Sequence, residues 1–190
     1  MDAVGICNAA LELLGVDQIQ ALDEESSPAE LCNAHFVPTR DAVLGEGVWR
    51  FAIQRHELAA DAEAPAYGYA HRYQLPTVIQ ILEANDGEYP LEAWEREGRY
   101  LLTDQAGPIY IRSVDQVDDV SLWPPGFSQA VITRLAATFA PVLSENRSLA
   151  ADLWQLYLRQ LKEALLADGQ QATPRSYLGG ALAQVRGWRT

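Results

Sequence analysis

The sequence predicts an α+β fold: a bundle of about four helices, a small antiparallel β-sheet inserted in its middle, and an extended C-terminal arm. Three observations carry this. Apolar residues recur at helical spacing near both ends of the chain, over about 2–45 and 127–167. From about Phe51 to Val114 the pattern changes to short alternating runs broken by turn residues. After Asp168 the acidic residues stop, and glycine, proline, arginine and isolated apolar residues take over. With 190 residues, 48% hydrophobic and 21% charged, the chain has ordinary globular composition and is long enough to bury a sizeable core.

The first helix is expected over Asp2–Leu14. Asp2 is its N-cap, Val4, Cys7, Leu11 and Leu14 form one apolar stripe, and Gly15 closes it. A second begins with Ser27 as N-cap, Pro28 in the first turn and Glu30 completing a capping box. Pro38 is expected to kink or break this helix, and Gly45 and Gly47 to end it. In the middle region, Val78–Leu82 alternates as a strand, and Asn85-Asp86-Gly87 is a turn signal. Tyr89–Trp94, Tyr100–Thr103 and Ile109–Arg112 read as further strands, with Phe51–Leu58 and Tyr69–Leu75 as two more. Pro124-Pro125-Gly126 marks the entry to a third helix with Phe127, Val131, Leu135, Phe139 and Val142 on one face and Pro141 near its end. A fourth runs over roughly Asn146–Ala167, with a stripe of Leu149, Leu153, Leu156, Tyr157 and Leu161. The expected organisation is therefore 1–50 and 115–168 as two halves of a helical domain, 51–114 as an inserted sheet domain, and 169–190 as a docking arm.

Charge separates these parts. The formal total is −12. Residues 169–190 carry +3 through Arg175, Arg186 and Arg189, which leaves −15 for residues 1–168. An acidic body argues against nonspecific binding to nucleic acid or to a membrane surface, both of which need clustered Lys and Arg. The arm combines its arginines with Tyr177, Leu178, Leu182, Val185 and Trp188. Trp and Arg dominate interface hot spots, so Arg175, Tyr177, Leu178, Leu182, Val185, Arg186, Trp188 and Arg189 are the candidate partner-binding residues.

Reactive chemistry is sparse. Cys7, Cys32 and His35 have ligand-like spacing in Cys32-x-x-His35, but a structural zinc site needs four ligands. Both cysteines are expected to be small core hydrophobes. His35, His56 and His71 have no nucleophile elbow beside them, and Gly45-x-Gly47 lacks the third glycine of a dinucleotide fingerprint. Asp115, Asp118 and Asp119 are expected to be a solvated linker, and Glu92, Glu95 and Glu97 an exposed strand edge. Trp49, Trp94, Trp123 and Trp154 are expected in the core. No catalytic residue, metal or cofactor is assigned. Two cysteines, no basic n-region at the start and no long apolar run fit a soluble protein made in a reducing cytoplasm.

An ordered set of short motifs resembles the tail tubular protein A family of short-tailed phages, the head-to-tail adaptors. Asn8, Ala10-Leu11 and Leu14-Gly15 are similar to its opening segment, and Ile19–Leu22 with the following acids and Ser26 to its next. Cys32, Phe36, Arg40-Asp41, Leu44 and Trp49-x-Phe51-Ala52 are similar to a third. Tyr73-x-Leu75-Pro76, Glu97-Gly98, Thr103-Asp104, Tyr110-Ile111-x-x-Val114, Phe127-x-x-Ala130 and Leu135-Ala136 continue the likeness, which spans about residues 6–168. Pro38, Thr77 and Pro141 depart from the family pattern, and the arm lies outside it.

The resemblance implies assembly rather than catalysis. Such adaptors form a ring, usually of twelve copies, beneath the portal protein at the head–tail junction of the virion, after synthesis in the host cytoplasm. The ring extends the channel through which genomic DNA passes and gives the tail nozzle protein its platform. An acidic lumen would let DNA slide without sticking. An acidic DNA mimic or other small phage-encoded binding protein is the alternative that net charge admits, although dense rows of surface Asp and Glu are missing. A small hydrolase has no residue constellation behind it.

Overall fold

The computed structural model describes residues 1–144 and 146–171. Among them are four α-helices, α1 (Ala3–Glu12), α2 (Ser27–Gly45), α3 (Pro125–Leu143) and α4 (Arg147–Gly169). Six strands lie between α2 and α3: β1 (Ile53–Leu58), β2 (His71–Gln74), β3 (Val78–Asn85), β4 (Glu95–Glu97), β5 (Tyr100–Thr103) and β6 (Ile109–Asp115). The fold is mixed α+β. The inserted region is two three-stranded antiparallel sheets rather than one, ordered β1-β6-β3 and β2-β5-β4.

Local chemistry accounts for the helix ends. The Asp2 carboxylate accepts from the Gly5 N–H at 2.8 Å and caps α1. Gly15 takes φ 68°, a left-handed conformation that glycine adopts without strain. The cap of α2 is Ser26, one residue earlier than expected. Its backbone is extended, and its hydroxyl accepts from the Ala29 N–H at 3.4 Å. Ser27 is already helical, so Glu30 falls one position beyond a capping box. Asn146 caps α4 by accepting from the Leu149 N–H.

Pro38 does not break α2, which runs unbroken through it. Ala34 and Pro38 are both exposed, so the carbonyl that loses its partner lies on the solvent side. Pro141 is likewise accommodated in the last turn of α3.

The expected strand Tyr89–Trp94 is a loop, and β4 forms at Glu95–Glu97 instead. Pro90 has no N–H to give to a ladder. The Asp86 carboxylate also takes the N–H groups of Glu88 and Tyr89 at 2.9 and 2.7 Å, bending the chain into a turn. Those bonds hold the Asp86 carboxyl below the usual range, the one from Tyr89 first. Phe51–Leu58 begins as a 3-10 turn over Arg50–Ala52 before β1 starts.

Two apolar cores result. The larger is built around α3, whose buried residues lie all round its axis. Gly126 lets α4 come close, since a Cβ there would lie 2.8 Å from that of Ala164. Trp49 sits at the centre, fully buried, with its ring edge-on to Phe127 at 4.9 Å and its indole N–H donating to the Val43 carbonyl at 2.9 Å. Trp123 is also buried, whereas Trp154, expected in the core, is exposed on α4. Its ring lies beside the Arg134 guanidinium and against the edge of the core at Tyr157.

The smaller core lies between the sheets. Leu58, Ala84, Ile109 and Ile111 of one meet Tyr73 and Leu101 of the other, with Leu75 beside them. The fully buried Tyr73 places its hydroxyl 2.6 Å from the Gln105 carbonyl and 2.8 Å from that of Gly107. Burial pushes its phenol above the ordinary range. Tyr73→Phe is expected to cost about 1 kcal/mol, read as a lower urea midpoint with an unchanged slope.

Candidate functional site

The candidate partner-binding residues Arg175, Tyr177, Leu178, Leu182, Val185, Arg186, Trp188 and Arg189 lie outside the described residues. The remaining candidate positions fall into four groups.

Cys7 and Cys32 are fully buried, on α1 and α2. The neighbouring Cys32 thiol, then burial, pushes the Cys7 thiol well above its ordinary range. His35 does not join them, because its ring packs against Phe139 at 5.9 Å. Among the described residues, no three His, Cys, Asp or Glu side chains converge in a way that could hold a metal ion. The native protein is expected not to react with Ellman's reagent over minutes, and to titrate both thiols once unfolded in urea. Rapid native labelling would contradict the burial.

The acidic segment is a linker exposed at Asp118 and Asp119, as expected, but it is also tied to α2. Arg40, with 4% of its side chain exposed, donates from Nε to Asp41 at 2.8 Å and from a terminal nitrogen to Asp118. Gln116 donates to the other Asp41 oxygen at 2.6 Å. Asp119 accepts from the Ser121 N–H and caps the 3-10 turn Val120–Leu122; bonding to Ser121 holds its carboxyl below the usual range. These short-range bonds tie α2 to the segment between β6 and α3. They were not visible in the charge pattern because Arg40 lies 78 residues from Asp118.

Asp115 lies between His56 Nε2 at 2.7 Å and the Ser113 hydroxyl, which donates to it at 2.5 Å. The three residue types are those of a hydrolytic triad, but the order is wrong. The carboxylate sits in the middle, whereas proton relay needs the imidazole between hydroxyl and acid. Ser113 is also fully buried. The cluster fastens β1 to β6.

The fourth group joins α2, α3 and α4. The buried Tyr157 hydroxyl donates to Glu46 at 2.6 Å, and Arg134 donates to both Glu46 and the Tyr157 oxygen, the latter at 2.9 Å. Burial, then the bond to Glu46, pushes the Tyr157 phenol up. The Arg134 guanidinium also lies over the Trp154 ring at 5.6 Å. Glu95 and Glu97 are exposed on the edge strand β4, and Glu92 is exposed in the preceding loop.

The residues that carry the family resemblance hold this architecture together. Asn8 donates to the Ile19 carbonyl and accepts from its N–H, both at 2.9 Å, pinning the loop after α1. Arg40 and Tyr73 make the ties described above. Thr103 donates to the Ala93 carbonyl at 2.8 Å, and Asp104 accepts from the Ala70 N–H at 2.9 Å. No helix among the described residues is long and apolar enough to cross a membrane. Neither family models nor curated proteins match the chain.

Proposed function

We propose that this chain is a structural head-to-tail adaptor of a tailed bacteriophage. Copies form a closed ring under the portal protein, extend the channel through which the genome passes, and offer the tail nozzle protein its attachment platform. The observation that supports this best is the ordered motif set over residues 6–168, whose members act as architectural ties rather than as chemistry. The helix–helix–sheet–helix–helix order and the acidic body accord with it. A carboxylate-rich inner wall repels phosphates, so DNA slides through without being gripped.

The basic, aromatic segment after Asp168 is the portal-binding element in this reading. Electron microscopy of the purified chain mixed with purified portal tests the whole reading. A ring of density stacked on the portal is the expected result, and a chain that never associates overturns it. A truncation lacking residues 170–190 is expected to lose portal binding while keeping its helical circular dichroism. Normal binding by that truncation overturns the role of the arm.

A further inference from the structure

The outer surface of α4 carries an apolar ridge with no partner among the described residues. Trp154, Leu158, Lys162 and Leu166 follow one another at intervals of four, which places them in one row along the helix. All four are exposed, Trp154 to 41%, Leu158 to 42% and Leu166 to 61%. A helix facing only water puts polar groups in such a row. Trp154 is fixed in place, because Arg134 lies over its ring and Tyr157 packs against it at 5.2 Å. An anchored aromatic with a bare outer face is characteristic of an interface hot spot. Lys162 is the one lysine of the sequence, and it makes no ion pair among the described residues.

A matching surface lies elsewhere on the same molecule. On α2, Glu30, Ala34 and Pro38 form one exposed row, with Val37 exposed at 45% in the row beside it. The charge there is complementary: Glu30 is the one acid of α2 before Arg40, and no Lys or Arg precedes Arg40 in the sequence. The two surfaces face different ways. Phe139 of α3 meets His35 of α2, whereas Gly126 and Thr133 of α3 meet Ala164 and Gln160 of α4. At 3.6 residues per turn, Gly126 and Phe139 point about 140° apart around the α3 axis.

We infer that the α4 ridge of one copy packs on the exposed α2 row of the next, antiparallel, with Lys162 against Glu30, Leu158 against Ala34 and Trp154 against Pro38. The register follows from length: Lys162 to Trp154 and Glu30 to Pro38 each span eight residues, about 12 Å of helix. Two different surfaces facing different ways give a head-to-tail contact, the kind that closes into a ring or grows into a filament. The inference rests on the ring reading proposed above and specifies which faces meet.

Cysteine cross-linking tests it, since both natural thiols are buried. A Leu158→Cys chain and an Ala34→Cys chain, mixed and treated with a short bismaleimide, are expected to give a covalent heterodimer, while neither chain alone gives a dimer. One chain carrying both substitutions is expected to give a ladder of dimers, trimers and higher species. Lys162→Glu should lower the yield roughly tenfold or more, and adding Glu30→Lys to the same chain should restore it, with unchanged circular dichroism throughout. Absence of the mixed cross-link, or self-cross-linking of the Leu158→Cys chain, overturns the inference. If rings still form on the portal when Lys162→Glu has no effect, the contact is wrong and the adaptor reading stands. If no ring forms on the portal at all, the adaptor reading itself fails.

Discussion

Trp49→Ala is expected to destabilise the protein by about 3–5 kcal/mol, the largest loss for any single side chain considered. The ring is fully buried where α2, the 3-10 turn Arg50–Ala52 and α3 converge. It contacts Phe127 edge-on at 4.9 Å and Phe51 at 6.3 Å. Alanine leaves a cavity that fixed helices on several sides cannot close, so the transfer loss and the cavity cost add. A domain of ordinary stability has about 5–15 kcal/mol in total. The variant therefore either unfolds at a much lower urea concentration or expresses as an unfolded chain. Trp49→Phe separates the contributions, since it keeps most of the packing and removes the hydrogen bond to Val43. It should lose only about 1–2 kcal/mol. A Trp49→Ala midpoint within error of the parent would contradict the central position of the ring.

Arg40→Ala is expected to cost roughly 3 kcal/mol, the lower end of what breaking a buried ion pair costs. The guanidinium is the nearly inaccessible member, whereas Asp118 is 86% exposed. Its partners are thus not equivalent. Asp118→Asn should cost under about 1 kcal/mol, as for an exposed pair. Asp41→Asn should cost more, because Asp41 is only 25% exposed and also receives Gln116. Arg40→Lys is not a conservative rescue, because one ammonium cannot reproduce a planar fork serving two carboxylates. Chemical denaturation of the four variants gives the ranking directly, and equal losses for Asp118→Asn and Arg40→Ala would refute it.

The helices were largely legible in the sequence because their signals are local. Asp2 and Asn146 cap the helices they precede, and the apolar stripes of α3 and α4 fall within the observed elements, whereas Leu14 lies beyond the end of α1. The signal at the start of α2 was ambiguous between two adjacent serines, and only the Ser26 contact to Ala29 distinguishes them. The strands were less legible. Tyr89–Trp94 alternates plausibly, yet Pro90 and the Asp86 turn decide its conformation. The split into two sheets depends on pairing between β1 and β6, 61 residues apart at Ile53 and Val114, once their own local pattern is satisfied.

Long-range polar ties were invisible for the same reason. Nothing near Arg40 in sequence announces Asp118, and nothing near Glu46 announces Tyr157. Trp154 was misplaced because it was assigned to the core by residue type, although it lies outside the stripe of Leu149, Leu153, Leu156, Tyr157 and Leu161. The candidate arm residues rest on composition and charge alone and lie outside the described residues.

Strand β6 belongs to both cores: Ile109 and Ile111 lie in the one between the sheets, and Val114 in the helical one. It is also the middle strand of its sheet, bonded to β1 and β3 on either side. A mechanical load applied at the far end of the β region therefore reaches the helices along a strand clamped on both edges. Pulling β6 lengthwise shears both ladders at once rather than unzipping them one bond at a time. The module built on β1, β3 and β6 is in this sense a tendon, stiff along its length, whereas β4 is laddered along one edge only, to β5, and reaches β3 through the Arg96 side chain.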